Sequence, residues 1–271
     1  MFPIILALVI SLVASCAGAI CGIGGGVIIK PVLDAANVAS VSVVGFLSGC
    51  TVLCMSSYSV LSTYIGKGSK RGEESAIRLG TTMPLSLGAV VGGIVGKSVF
   101  STLMDRLGQA DRVGAIQAVC LLALTLGTLI YTIYKKKIKQ QQITNVVFCV
   151  VIGFVLGFLS SFLGIGGGPF NMVILSFCFS MDTKVAAQNS LFVTLCSQIS
   201  SLISSIVSGS VPDFSWGLLI GMAATGILGG VIGKKVYRKL DSDGIDVLFI
   251  GMLVVIMAIC VYNFLRFGGV V

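Results

Sequence analysis

The chain has no histidine, only five prolines and one tryptophan in 271 residues, and just 10% of it is charged. Without histidine it lacks the usual proton shuttle near neutral pH and the commonest metal ligand. A soluble domain is about one quarter charged, so a tenth excludes an ordinary soluble fold. With 56% hydrophobic residues and a mean hydropathy of +1.06, this is the composition of an integral membrane protein. A formal charge of +8 is compatible with a nucleic-acid partner, but the basic residues gather in short loops. That pattern fits positive-inside anchoring in a lipid bilayer, and no nucleic-acid partner is expected. Nine cysteines, at 16, 21, 50, 54, 120, 149, 178, 196 and 260, all fall in apolar segments without a Cys-x-x-Cys pair. They read as small apolar helix residues and not as a disulfide or metal framework. Neither a metal nor a cofactor is expected, and no nucleophile–base pair suggests an enzyme.

What the chain has instead is glycine in two unusual places. Gly22-Ile23-Gly24-Gly25-Gly26 closes the first apolar run, and Gly164-Ile165-Gly166-Gly167-Gly168 closes a later one. Each glycine inside a helix costs about 1 kcal/mol relative to alanine, so these strings mark backbone released from the helix. At membrane depth, such backbone is tolerated only where it is buried in protein or lines a polar cavity. No Gly-Lys-Ser/Thr follows the first string, which excludes a nucleotide phosphate loop.

The strings belong to an internal repeat. Gly22 and Gly164 are 142 positions apart, and the same offset pairs Leu33 with Leu175, Ser48 with Ser190, and Cys54 with Cys196. Gly92–Lys97 matches Gly229–Lys234 at an offset of 137, the difference falling where the first half carries its charged loop, Lys67–Glu74. A seam at Gln140–Gln142 divides the chain into repeats 1–142 and 143–271. Hydropathy gives four segments per half, near the roughly 20 residues a crossing needs: Phe2–Ala19, Ser40–Ile65, Ala76–Val99 and Val113–Tyr134, then Thr144–Leu163, Val185–Val207, Phe214–Val231 and Ile245–Phe264. Met1–Ala19 resembles a signal-peptide core, with Val13–Cys16 like a lipoprotein cleavage box. No basic residue precedes it, and Thr144–Leu163 is its internal counterpart, so a retained membrane helix is expected. The shorter pieces after each string, Val27–Val38 and Pro169–Ser180, span about half a bilayer at about 1.5 Å per residue.

The expected fold is therefore all-α and polytopic, with two repeats of about four hydrophobic segments and glycine-rich broken or re-entrant helices. If every segment crosses, the 18 basic residues divide evenly between the two faces. If each first segment and its half-helix form one re-entrant hairpin, they divide thirteen to five, as the positive-inside rule requires. An odd number of crossings per half makes the repeats inverted.

The duplicated Gly-Ile-Gly-Gly-Gly, followed by Lys30-Pro31-Val32-Leu33 in the first half and by Gln188-Asn189-Ser190-Leu191 downstream in the second, resembles the TauE/SafE family of sulfite exporters and anion permeases. The resemblance covers most of the chain. It implies a secondary transporter of the cell membrane whose substrate is a small inorganic or organosulfur anion such as sulfite or a sulfonate. From the residues themselves, the amides of Gly22, Gly24, Gly25 and Gly26, and of Gly164, Gly166, Gly167 and Gly168, are the candidate anion donors at half-helix N-termini. Ser48, Thr51, Gln188, Asn189 and Ser190 start the next helix of each half and Asn171 follows the second string, so all six are candidate ligands. Lys30, four residues before Asp34, is a candidate for anion attraction. The spaced glycines Gly92, Gly93, Gly96, Gly229, Gly230 and Gly233 read instead as packing positions. Two other classes stay open: a channel or scaffold in which all these glycines merely pack, and a membrane enzyme handling a sulfur carrier through Cys21, Cys54 or Cys196.

Overall fold

A computed structural model describes residues 2–65, 77–107, 110–143 and 145–267. The charged loop Lys67–Glu74 lies outside the described residues. The described chain forms ten α-helices: α1 (Phe2–Cys21), α2 (Gly26–Ala35), α3 (Val41–Ile65), α4 (Leu79–Leu107), α5 (Ala110–Tyr134), α6 (Val146–Leu163), α7 (Pro169–Phe179), α8 (Thr183–Val207), α9 (Trp216–Tyr237) and α10 (Ser242–Phe267). Eight are long and apolar enough to cross a membrane; α2 and α7, with 10 and 11 residues, are the half-length pieces. The all-α polytopic architecture expected from hydropathy is the one observed. The largest boundary difference is at α4, which runs to Leu107 instead of closing near Val99. Hydropathy falls there because Asp105 and Arg106 approach a polar surface, but nothing in the sequence interrupts the helix.

Apolar side chains such as Ile4, Val9 and Val13 on α1, and Val146, Val147 and Val151 on α6, are exposed, as lipid-facing surface should be. Between helices, glycine allows close contact. A Cβ on Gly88 or Gly92 would overlap the carbonyl oxygen of Val150 or Phe154, so α4 lies backbone to backbone along α6. Gly229 and Gly233 bring α9 equally close to Leu12 and Cys16 of α1. Gly92, Gly229 and Gly233 pack helices through small residues as anticipated, and Gly88 does the same. Each contact joins one half of the chain to the other, so the two halves interlock.

Contacts fix the helix directions. Thr63, near the end of α3, donates to Gln188, near the start of α8, at 2.9 Å, while Gln198 donates back to Gly49 at 3.3 Å. α3 and α8 are therefore antiparallel. Lys135, just past α5, pairs with Asp246 at the start of α10, whereas Gly114 lies against Phe267, so α5 and α10 are antiparallel too. α2 returns to the end from which α1 starts, where Arg266 donates to the Asp34 carbonyl and Asn263 to that of Pro31 at 2.8 Å. α1 and α2 thus form a helical hairpin closed at the first glycine string. At the seam, Gln141 and Ile143 donate to Phe177 and Cys178 at 2.8 and 2.9 Å, pinning the linker to the end of α7.

Of the described basic residues, ten lie at one end of the bundle: Arg78, Lys135, Lys136, Lys137, Lys139, Lys184, Lys234, Lys235, Arg238 and Lys239. Lys30, Lys97, Arg106, Arg112 and Arg266 lie toward the other. We expect Lys136→Cys and Lys235→Cys, in a cysteine-free background, to react with an impermeant thiol reagent from the same side of the membrane, and Arg112→Cys from the opposite side. Opposite labelling of the first two contradicts this fold.

Candidate functional site

The strings break their helices through left-handed backbone. Gly22, Gly24 and Gly25 have φ of 72°, 78° and 55°, and Gly164, Gly166 and Gly167 have 64°, 71° and 153°, a region in which a Cβ is strained. α7 then begins with Pro169 at its first position, where a missing N–H costs nothing. The two strings meet at the centre of the bundle. A Cβ on Gly26 would overlap the Ile165 carbonyl oxygen, and one on Gly24 would lie 3.6 Å from that of Gly166. Val52 of α3 and Thr194 of α8, at equivalent repeat positions, wall the junction beside Gly24, Gly166 and Gly167.

The backbone donors there are only partly used. Ile23 donates to Gly18 at 3.1 Å, and Gly164 and Ile165 donate to Ser161 and Ser160 at 3.2 and 3.3 Å. Among the described residues, no protein acceptor takes the N–H of Gly24, Gly25, Gly166, Gly167 or Gly168. All five glycines are buried, and buried N–H groups are rarely left without an acceptor. α2 and α7 direct their N-termini, with partial positive charge, at the same place. Helix N-termini with free backbone N–H groups are a common setting for anion binding.

The candidate side chains divide. Ser48 is fully buried with an unpartnered hydroxyl, 2.9 Å from where a Cβ on Gly26 would stand. Ser190, its repeat counterpart, is likewise fully buried and unpartnered. Asn171 donates to Thr194 at 3.3 Å and keeps an unpartnered buried Oδ1 beside the second string. Lys30 runs past Gly45 and Gly164 and donates to Asp34 and to Gln117, each at 2.8 Å. Three candidates turn away from the strings. Thr51 donates to Leu47 at 2.8 Å and packs its methyl on Gly226 of α9. Gln188 accepts from Thr63 and Lys234 near the basic end. Asn189 accepts from the Arg78 amide at 2.9 Å and from Thr82, tying α8 to the start of α4. Residues missed from the sequence are Thr194 at the junction and Gln117, which positions Lys30 and anchors to the Phe162 carbonyl at 2.6 Å. Thr194 lies one helical turn after Ser190, a spacing that would have found it.

A bundle with eight helices of membrane-crossing length, whose two glycine-broken segments bring backbone donors to one buried point, has the architecture of a polytopic membrane transporter. The family described as "Sulfite exporter TauE/SafE" matches residues 7–259, and the chain belongs to it. The chain is 27% identical over 263 residues to a protein of Haemophilus influenzae named "Probable membrane transporter protein", covering 93% of this chain and 96% of that one. It is 28% identical over 114 residues to the "Probable membrane transporter protein YunE" of Bacillus subtilis, covering 42% of this chain and 41% of YunE. No solved structure matches the chain significantly.

Proposed function

We propose that the chain is a secondary permease or exporter carrying a small sulfur-containing anion, such as sulfite or a sulfonate, across the cell membrane. The observation that carries this reading is the meeting of two glycine strings whose buried amides lack protein acceptors. The anion exchanges water for these amides and for the hydroxyls of Ser48, Ser190 and Thr194. The repeats, 1–142 and 143–271, are inverted; the antiparallel packing of the repeat-related pairs α3/α8 and α5/α10 supports this. Rocking of one repeat against the other then alternates access to a fixed central site. The basic end faces the cytoplasm. An inside-negative potential favours exit of a monovalent anion by about 2.3 kcal/mol per 100 mV, so efflux needs no coupled ion in principle.

Flux into proteoliposomes, compared across sulfite, sulfate, thiosulfate, sulfonates and small carboxylates, tests this directly. Sulfite or a sulfonate is expected to move fastest. Absence of flux for every anion returns the channel-or-scaffold reading, in which the strings only pack. An enzymatic role through cysteine finds less support, since the Cys21 thiol lies against the Met252 sulfur at 3.7 Å. Transport that survives replacement of Cys21, Cys54 and Cys196 removes it.

A further inference from the structure

Beside the strings, toward the end opposite the basic one, lies a small cleft with a cavity volume of ≈ 20 Å³. Lys30, Lys97, Gln117, Ser161 and Gln198 line it, with Phe46 and Phe100 as apolar wall. Gly164, the first residue of the second string, also lines it, so the cleft adjoins the central junction.

Its two cations are differently engaged. Lys30 is committed to Asp34 and Gln117. The Lys97 ammonium lies 4.9 Å from the centre of the Phe100 ring, and among the described residues no carboxylate or carbonyl pairs with it. A lysine within a membrane helix is expensive and calls for a function or a partner. The Ser161 hydroxyl, nine-tenths buried or more, lines the same cleft without a partner.

The internal repeat supplies a comparison. Lys234 corresponds to Lys97 and Tyr237 to Phe100, while Thr63 and Gln188 correspond to Ser205 and Phe46. In that second copy Lys234 lies 5.4 Å from the Tyr237 ring centre and donates to Thr63 and Gln188. The equivalent ammonium thus meets oxygen ligands from the protein, whereas Lys97 meets a cleft.

We propose that this cleft is a second anion-binding station, a waiting site between the non-cytoplasmic surface and the strings, and that it takes a monoanion. Lys97 and Ser161 hold the charged group, and the two phenylalanines accommodate a small apolar substituent. Lys97 is the uncommitted cation of the cleft, Lys30 being paired with Asp34, so a dianion would bring a second charge with no matching cation into a poorly hydrated site. The onward route rests on the anion-transport reading; binding at the cleft does not.

The test is equilibrium binding of radiolabelled methanesulfonate to the full-length protein in nanodiscs, with sulfate as dianionic competitor. It is run in the Ser48→Ala/Ser190→Ala background, so that the central site is weakened. Residual saturable binding is expected, with sulfate competing at least about tenfold more weakly than unlabelled methanesulfonate. Adding Lys97→Gln should weaken that binding by about tenfold or more, and Lys97→Arg should largely preserve it. Trp216, the single tryptophan, packs through Phe214 on Phe46 of the cleft wall in tilted ring contacts, with ring centres 5.0 and 5.2 Å apart. Its fluorescence should change with occupancy. Absence of residual binding, or Lys97→Gln protein with wild-type melting and unchanged affinity, overturns the proposal. Full transport by the serine variant overturns the central site alone and leaves the Lys97 comparison intact.

Discussion

Replacing Ser48 and Ser190 together by alanine is expected to leave the protein folded and to weaken anion transport by about a hundredfold or more. Both hydroxyls are fully buried and neither has a partner, so no protein hydrogen bond is lost. Leaving a buried polar group unsatisfied costs about 1–3 kcal/mol, and removing it should hold or raise the melting temperature. A hydrogen bond to a charged group contributes about 1.5–3 kcal/mol, so two hydroxyls on one anion are worth about two decades of affinity or more. The half-saturation constant for sulfite flux and the melting temperature, measured on the same preparations, decide the matter. Unchanged transport with raised stability assigns both serines to packing. Alanine at the glycines is a poorer probe. A Cβ on Gly25 would stand 3.1 Å from the backbone of Ala14 and Ser15, so Gly25→Ala strikes α1 packing before it strikes any ligand.

The glycine strings were legible in the sequence because their signal is conformational. Three clustered glycines in an apolar run have few explanations, and the copy 142 residues on removes most of them. Ser48 and Ser190 were legible for the same reason, as one position read twice. Gln188 and Asn189 adjoin Ser190 in sequence, but successive residues on a helix point about 100° apart. Gln188 therefore reaches toward α3 and α9, and Asn189 toward α4. Thr194 is readable only from its place one helical turn after Ser190 and not from the repeat, because its repeat partner is Val52 and only one member of the pair carries a hydroxyl. Gln117 and Lys97 gain their meaning from α2 and α8, which lie far away in sequence. No local pattern marks them.

The ion pair on α2 offers the sharpest separation of folding from function. Lys30 and Asp34 are both buried, 2.8 Å apart, and the equivalent places on α7 hold Met172 and Ser176. Lys30→Met alone strands a buried carboxylate, and breaking a buried pair in this way costs about 3–5 kcal/mol. A well-packed neutral replacement of both partners is often neutral or stabilising. Lys30→Met with Asp34→Ser copies what the other repeat already uses, so the double variant should recover most of the melting temperature. The coupling between the two changes, read from a double-mutant cycle, should be large. Transport should not recover with it, because the Lys30 stem runs beside Gly164 and both lie in the wall of the anion cleft. Removing both ionised groups leaves the cleft's formal charge unchanged, so the remaining loss reports the position of the ammonium at the mouth of the string, not bulk attraction. A double variant that is both stable and fully active would reduce Lys30 and Asp34 to a structural pair. A single variant that melts like the wild type would mean that the pair does not hold α2 in place.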